Sequence, residues 1–182
     1  MNESKLNFIK AASAIGGFVI GWLLVAYCGL AILIPGAATI VLGALLIKIK
    51  IRPKYFLTAI CLTGGHIIWF LVASAAAGNW RSATIDVGFL TVGIIFLWAR
   101  PGFGSLCFLG GVQFVSLIVN ISALISDPVG SLPYRALVAH CIFRLLVITC
   151  LILGYRHMRR QIAGNTKNPT VKGSPIRARV NG

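Results

Sequence analysis

Residues 11–47 contain no charged side chain, and this run limits the chain's folding options more than any other stretch. A helix that crosses the hydrocarbon of a bilayer needs about 20 apolar residues. The run is too long for one straight span and just long enough for two. Gly29 and Pro35-Gly36 lie near its middle, so the break is expected between Gly29 and Gly36. This reading gives helices over about 11–29 and 31–47. The alternatives are one long helix kinked near Pro35, or a re-entrant second segment.

The remaining chain repeats the pattern. Uncharged or nearly uncharged stretches cover about 55–77, 84–99, 103–125 and 136–155, separated by turns. Gly78-Asn79-Trp80-Arg81-Ser82 is polar, Arg100-Pro101-Gly102 combines a charge with two helix breakers, and residues 126–133 carry Asp, Pro and Gly. Charged residues make up 11% of the chain, against roughly 25% in a soluble domain. Mean hydropathy is +0.90. The expected fold is therefore an all-α, polytopic membrane bundle of six helices. A ten-residue polar lead (1–10) precedes it, and a basic, disordered tail (156–182) follows it.

Charge placement orients this bundle. Lys and Arg collect on the cytoplasmic side of membrane proteins. Placing both termini inside puts Lys5, Lys10, Lys48, Lys50, Arg52, Lys54, Arg100 and the seven basic residues of the tail on the cytoplasmic face. Only Arg81 and Arg135 then fall in outer loops, and Arg144 lies within a span. Tyr27, Trp80 and Tyr134 fall at the outer boundary, with Tyr55, Trp98 and Tyr155 at the inner one, as interfacial rings do. Trp22 and Trp69 sit at mid-depth, which suits bundle packing. The net charge of +14 would suggest nucleic acid in a soluble protein, but here the apolar bulk excludes it. Lys48, Lys50, Arg52, Lys54, Arg156, Arg159 and Arg160 are read instead as orientation anchors in contact with anionic lipid headgroups. The short loops suit a bacterial inner membrane.

Ionisable and amide side chains inside a span are expensive and draw attention. Arg144 lies near the middle of the sixth span, and an Arg at a helix centre costs about 2.5–3.5 kcal/mol on insertion scales. His140 precedes it by four residues and shares its face. Asp86 is the one acid within a span. It is either the counter-charge of Arg144 or His140, or a cap on the start of the fourth helix. Gln113, Ser116 and Asn120 form one face of the fifth span, and His66 lies at mid-depth of the third. Arg144, His140, Asp86, Asn120, Gln113 and His66 are therefore the candidates for a solute site or a polar network. His66-x-x-x-Phe70-Leu71 resembles His140-x-x-x-Arg144-Leu145, without a fixed repeat period.

Ser13, Gly17 and Gly21 place small residues on one face of the first helix, a stripe that serves close helix packing in lipid. The five cysteines lie in apolar segments and form no C-x-x-C pair, so they read as packing residues rather than a redox couple. Motifs of metalloproteases, serine hydrolases and P-loop enzymes are absent. Three dispersed histidines do not suggest a metal site, and no cofactor is expected. The leading functional expectation is a non-enzymatic solute transport or solute-binding membrane component. The alternatives are a membrane assembly or interaction subunit, with a protein partner or a second copy of the chain, and a membrane-embedded enzyme, disfavoured by the missing acids and nucleophiles.

Overall fold

A computed structural model describes residues 15–16, 19, 21–23, 25–27, 29, 32–46, 54–78 and 80–167, with the side chains at 76–77, 80–83 and 164–167 set aside. Among the described residues the secondary structure is helical, without strands. The elements are α1 (Leu33–Leu46), α2 (Lys54–Ala77), α3 (Trp80–Ala99), α4 (Phe103–Ser126) and α5 (Leu132–Lys167). The described residues between 15 and 27 are helical as well. Three stretches are long and apolar enough to cross a membrane, namely Lys54–Ala75, Phe103–Ser126 and Leu132–Ala163. Leu33–Leu46 and Thr84–Ala99 are shorter apolar helices.

The long uncharged run is broken within the expected interval. Gly29 has φ +82°, and Ile32 forms a single 3₁₀ residue before α1 begins. Left-handed backbone of this kind suits glycine, which has no Cβ to clash. Pro35 is not the breaker. It lies in the first turn of α1, where a missing N–H removes no helical hydrogen bond. At 14 residues, α1 is about 21 Å long, short of the roughly 30 Å hydrocarbon core.

Other boundaries move for local reasons. Gly78, at φ +65°, closes α2 so tightly that α3 starts at Trp80 rather than near 84. Ser131 caps α5 by accepting the Tyr134 N–H through its Oγ at 3.3 Å. That cap starts α5 at Leu132 and places Pro133 in the tolerated first turn. The expected end of the sixth helix near 155 and the start of an irregular tail at 156 need correction. α5 continues to Lys167, because residues 156–163 include no Pro or Gly and consist largely of good helix formers. Residues 168–182, the rest of the predicted disordered tail, lie outside the described residues.

Helices α2, α3, α4 and α5 close into a ring in that order, and α1 packs against α2 from outside the ring. Buried residues recur every three or four positions on each helix. They include Phe56, Ala59 and Ile60 on α2, Leu90 and Leu97 on α3, Leu109 on α4, and Val147 and Leu151 on α5. A second cluster joins Ile32, Trp69, Ala139 and Phe143. Large apolar side chains also cover the outside, among them Phe89, Val92, Ile95, Phe114, Ile118 and Leu145. An outer surface of this kind suits lipid rather than water.

Among the described residues, close helix packing uses glycines on α2, α3 and α5. A Cβ on Gly65 would lie 2.6 Å from the Pro35 carbonyl oxygen, so α1 and α2 approach through that glycine. Gly93 meets Leu109, and Gly154 meets Phe56, in the same way. Ser13 and Gly17 lie outside the described residues. At Gly21 an added Cβ would meet nothing within 4 Å among the described residues. Trp22 is likewise 67% exposed rather than packed, whereas Trp69 is 6% exposed.

Candidate functional site: a polar layer across four helices

The inward-facing stripe of each ring helix changes character at one level. On α2 the apolar run through Phe56, Ala59 and Ile60 gives way to Thr63 and His66. On α3, Asp86 lies one turn beyond Leu90. On α4, Gln113 and Ser116 follow Leu109. On α5, His140 and Arg144 precede Val147. The alternating directions of the helices bring these changes together in one layer, nearer the end of the bundle that carries Gly78 and Ser131.

Arg144 organises the layer. It is fully buried, with 0% exposure. Its Nη2 donates to Asp86 Oδ2 at 2.6 Å, and its Nη1 donates to Gln113 Oε1 at 3.0 Å. Ser116 Oγ donates to the other Asp86 oxygen, Oδ1, at 3.0 Å. Gln113 Nε2 donates to Thr63 Oγ1 at 3.4 Å, and Thr63 Oγ1 donates to the Ala59 carbonyl at 2.8 Å. One chain of hydrogen bonds therefore links all four ring helices. Its physical basis is the expense of an unpaired charge in a low-dielectric interior. Opposite charges in direct contact offset that expense, and the neutral amide and hydroxyls occupy further lone pairs and N–H groups.

Of the two roles expected of Asp86, the cap on a helix start is not met. Because α3 begins at Trp80, Asp86 stands in the second turn, and its carboxylate turns inward to Arg144 and Ser116. The pair is asymmetric. The Arg144 side chain is 0% exposed, while that of Asp86 is 27% exposed. The carboxylate is thus the side of the pair open to the outside of the bundle.

His66 and His140 form a second polar contact in the same layer. His66 Nε2 and His140 Nδ1 lie 2.6 Å apart, so one nitrogen donates a proton that the other accepts. Aromatic rings enclose the pair. Trp69 stacks on His140 with centroids 4.2 Å apart, and Phe70 stacks on His66 at 4.8 Å and on His140 at 4.7 Å. Phe143 tilts against His66 at 5.9 Å. The Arg144 guanidinium carbon lies 5.9 Å from the centre of the Phe70 ring, within cation–π range, so Phe70 touches both halves of the layer. The two similar H-x-x-x segments at 66–70 and 140–144 therefore meet at this level.

Five of the six sequence candidates are joined by these contacts: Arg144, Asp86 and Gln113 in one chain, His66 and His140 in the other. Asn120 lies one turn beyond Ser116 on α4, half-buried, and its Nδ2 has no partner among the described residues. His66 Nδ1 and Arg144 Nε are also buried without partners among the described residues. Thr63, Trp69, Phe70 and Phe143 complete the layer but were not among the candidates. Thr63 had a readable signal, since it precedes His66 by three residues and so shares its face. The aromatic residues are indistinguishable from lipid-facing ones in an apolar sequence.

The basic residues lie elsewhere. Lys54 opens α2, and Arg156, Arg159 and Arg160 sit on the last turns of α5, all exposed. Lys48, Lys50 and Arg52 lie outside the described residues. Among the described residues, no group of three His, Cys, Asp or Glu side chains could hold a metal ion. Comparison of the chain with protein-family models, with curated proteins and with solved structures returns no match.

Proposed function

We propose that the chain is a six-span protein of a bacterial inner membrane, with both termini cytoplasmic, and a non-enzymatic component that binds or carries a small solute. The polar layer is its binding level, and the solute bears hydrogen-bond acceptors such as a carboxylate. One observation carries this reading. The buried polar side-chain atoms that lack a partner among the described residues are His66 Nδ1, Asn120 Nδ2 and Arg144 Nε, and all three belong to candidates at or beside this layer. A buried donor left unmet costs about 1–3 kcal/mol, which makes such groups natural points of attachment for a ligand. Arg144 Nε and Asn120 Nδ2 are donors in every state, so they call for acceptors. The exposed edge of Asp86 supplies the approach, and an incoming carboxylate would compete with Asp86 for the guanidinium.

The test is a thermal-shift series on the purified protein with acetate, succinate, citrate and glutamate, and with glucose as a neutral control. At least one carboxylate is expected to raise the midpoint, and Arg144→Gln is expected to abolish that rise. No shift with any of them, or an equal shift in Arg144→Gln, overturns the reading.

The full burial of Arg144, with both terminal nitrogens engaged, favours a second reading in which the ion pair is a static lock between α3 and α5. That reading expects no solute response and a stability loss alone. It is compatible with the assembly-subunit alternative.

A further inference from the structure

Beyond the polar layer, the opposite end of the bundle carries an open recess of about 310 Å³, lined by Tyr55, Leu153, Arg156, His157 and Arg160. Its volume lies at the lower edge of the roughly 300–1,000 Å³ typical of small-ligand sites. Arg156 and Arg160 stand one turn apart on α5 and share a face. His157 meets the Tyr55 ring edge-on, with centroids 6.2 Å apart, so the start of α2 forms the facing wall. This wall exists because α5 continues as a helix past Tyr155.

We infer that this recess binds the phosphate of an anionic phospholipid headgroup. Two arginines line the recess, and among the described residues no carboxylate is paired with them. Of the three acids in the chain, Asp86 pairs with Arg144 in the polar layer, and Asp127 follows α4 at the far end of the bundle. The remaining acid is Glu3, outside the described residues. Guanidinium forks match phosphate oxygens in charge and geometry. Tyr55 and His157, which also line the recess, carry a hydroxyl and ring nitrogens capable of hydrogen bonding.

The lining also separates a lipid from free phosphate. Leu153 lies one turn toward the apolar part of α5 from Arg156, and Arg160 lies one turn the other way. The recess therefore runs from an apolar end to a basic end along the helix axis. A headgroup phosphate attached to acyl chains satisfies both ends, whereas inorganic phosphate satisfies only the basic one. Arg159, which carries the same charge beside these residues, does not line the recess.

The inference depends on the membrane reading but not on the solute site. Its test is the thermal midpoint of the detergent-purified protein after addition of phosphatidylglycerol, phosphatidylcholine or inorganic phosphate. Phosphatidylglycerol is expected to raise the midpoint of the wild-type protein and of Arg159→Gln, and not that of Arg156→Gln/Arg160→Gln. Retention of phosphatidylglycerol through native mass spectrometry should follow the same order, which reads binding even if the double variant is less stable. Three results overturn the inference: an equal loss in Arg159→Gln, which marks diffuse attraction; an equal rise with phosphatidylcholine; or an equal rise with inorganic phosphate.

Discussion

Arg144 on α5 and Asp86 on α3 meet at 2.6 Å across the interior of the helix ring, the first fully buried and the second partly open. These helices are not neighbours in the ring order, so the pair spans the interior rather than stapling one interface. Gln113 on α4 and Thr63 on α2 extend the same contact to the other two helices. The pair therefore fixes the relative depth of all four elements, and the consequences of breaking it are specific.

Asp86→Asn leaves the Arg144 guanidinium buried without its counter-charge. Removing one partner of a buried pair typically costs about 3–5 kcal/mol. The Asp86 side chain is 27% exposed rather than buried, so the lower end of that range is expected. Arg144→Leu leaves a carboxylate that is only partly buried, and should cost less. The double variant Asp86→Leu/Arg144→Leu should recover most of the loss, because it leaves no unpaired charge. Unfolding in mixed micelles of each variant measures the cycle. Additive single losses would show that the pair is not coupled.

The histidine pair makes a parallel case. His140→Phe retains a ring that can stack on Trp69 and Phe70 but leaves His66 Nε2 without its partner at 2.6 Å. An unmet buried polar group costs about 1–3 kcal/mol. The double variant His66→Phe/His140→Phe removes both polar groups and should lie closer to wild type than either single change. Unfolding midpoints of the four proteins decide this, and a double variant less stable than both singles would refute it.

Much of this arrangement can be read from the amino acids, and the reason is the bilayer. Hydrocarbon tolerates so few polar side chains that Arg144, Asp86, Gln113, His66 and His140 stand out by type alone, and helical periodicity supplies their faces. Periodicity does not reveal which apolar residues turn inward, since lipid accepts the same side chains as the core. Trp69 and Trp22 look alike in sequence, yet one stacks on His140 and the other faces outward. The packing glycines were hidden for a similar reason. Gly65 and Gly154 make close approaches because they lie on α2 and α5, which other helices surround. The end of α5 was misplaced because a drop in hydropathy marks the edge of the membrane, not the end of a helix.

The glycine contacts give a sharp contrast between substitutions of equal size. Gly65→Ala would place a methyl group 2.6 Å from the Pro35 carbonyl oxygen, a backbone atom of α1 that cannot rotate away. Overpacking of this kind costs about 1–3 kcal/mol. At Gly111 on α4 an added Cβ meets nothing within 4 Å, and alanine is the better helix former by roughly 0.5–1 kcal/mol. Gly65→Ala should lower the thermal midpoint, while Gly111→Ala should leave it unchanged or raise it. Equal effects would mean that α1 does not rest on Gly65.

The topology is tested by accessibility. In the six-span reading, Ser131 before α5 faces outward and Gln161 near its end faces the cytoplasm, since a single helix crosses between them. Both positions are compatible with labelling, because Ser131 is half-buried at a helix start and Gln161 is exposed. In a background with the five native cysteines replaced by alanine or serine, Ser131→Cys should react with a membrane-impermeant maleimide in intact cells. Gln161→Cys should react only after the cells are opened. The charge distribution is the basis for expecting this direction, since reversal would put Arg100 and the basic turns of α5 outside. Reaction of Gln161→Cys in intact cells, with Ser131→Cys protected, would invert the orientation and place the recess of Arg156 and Arg160 on the outer face.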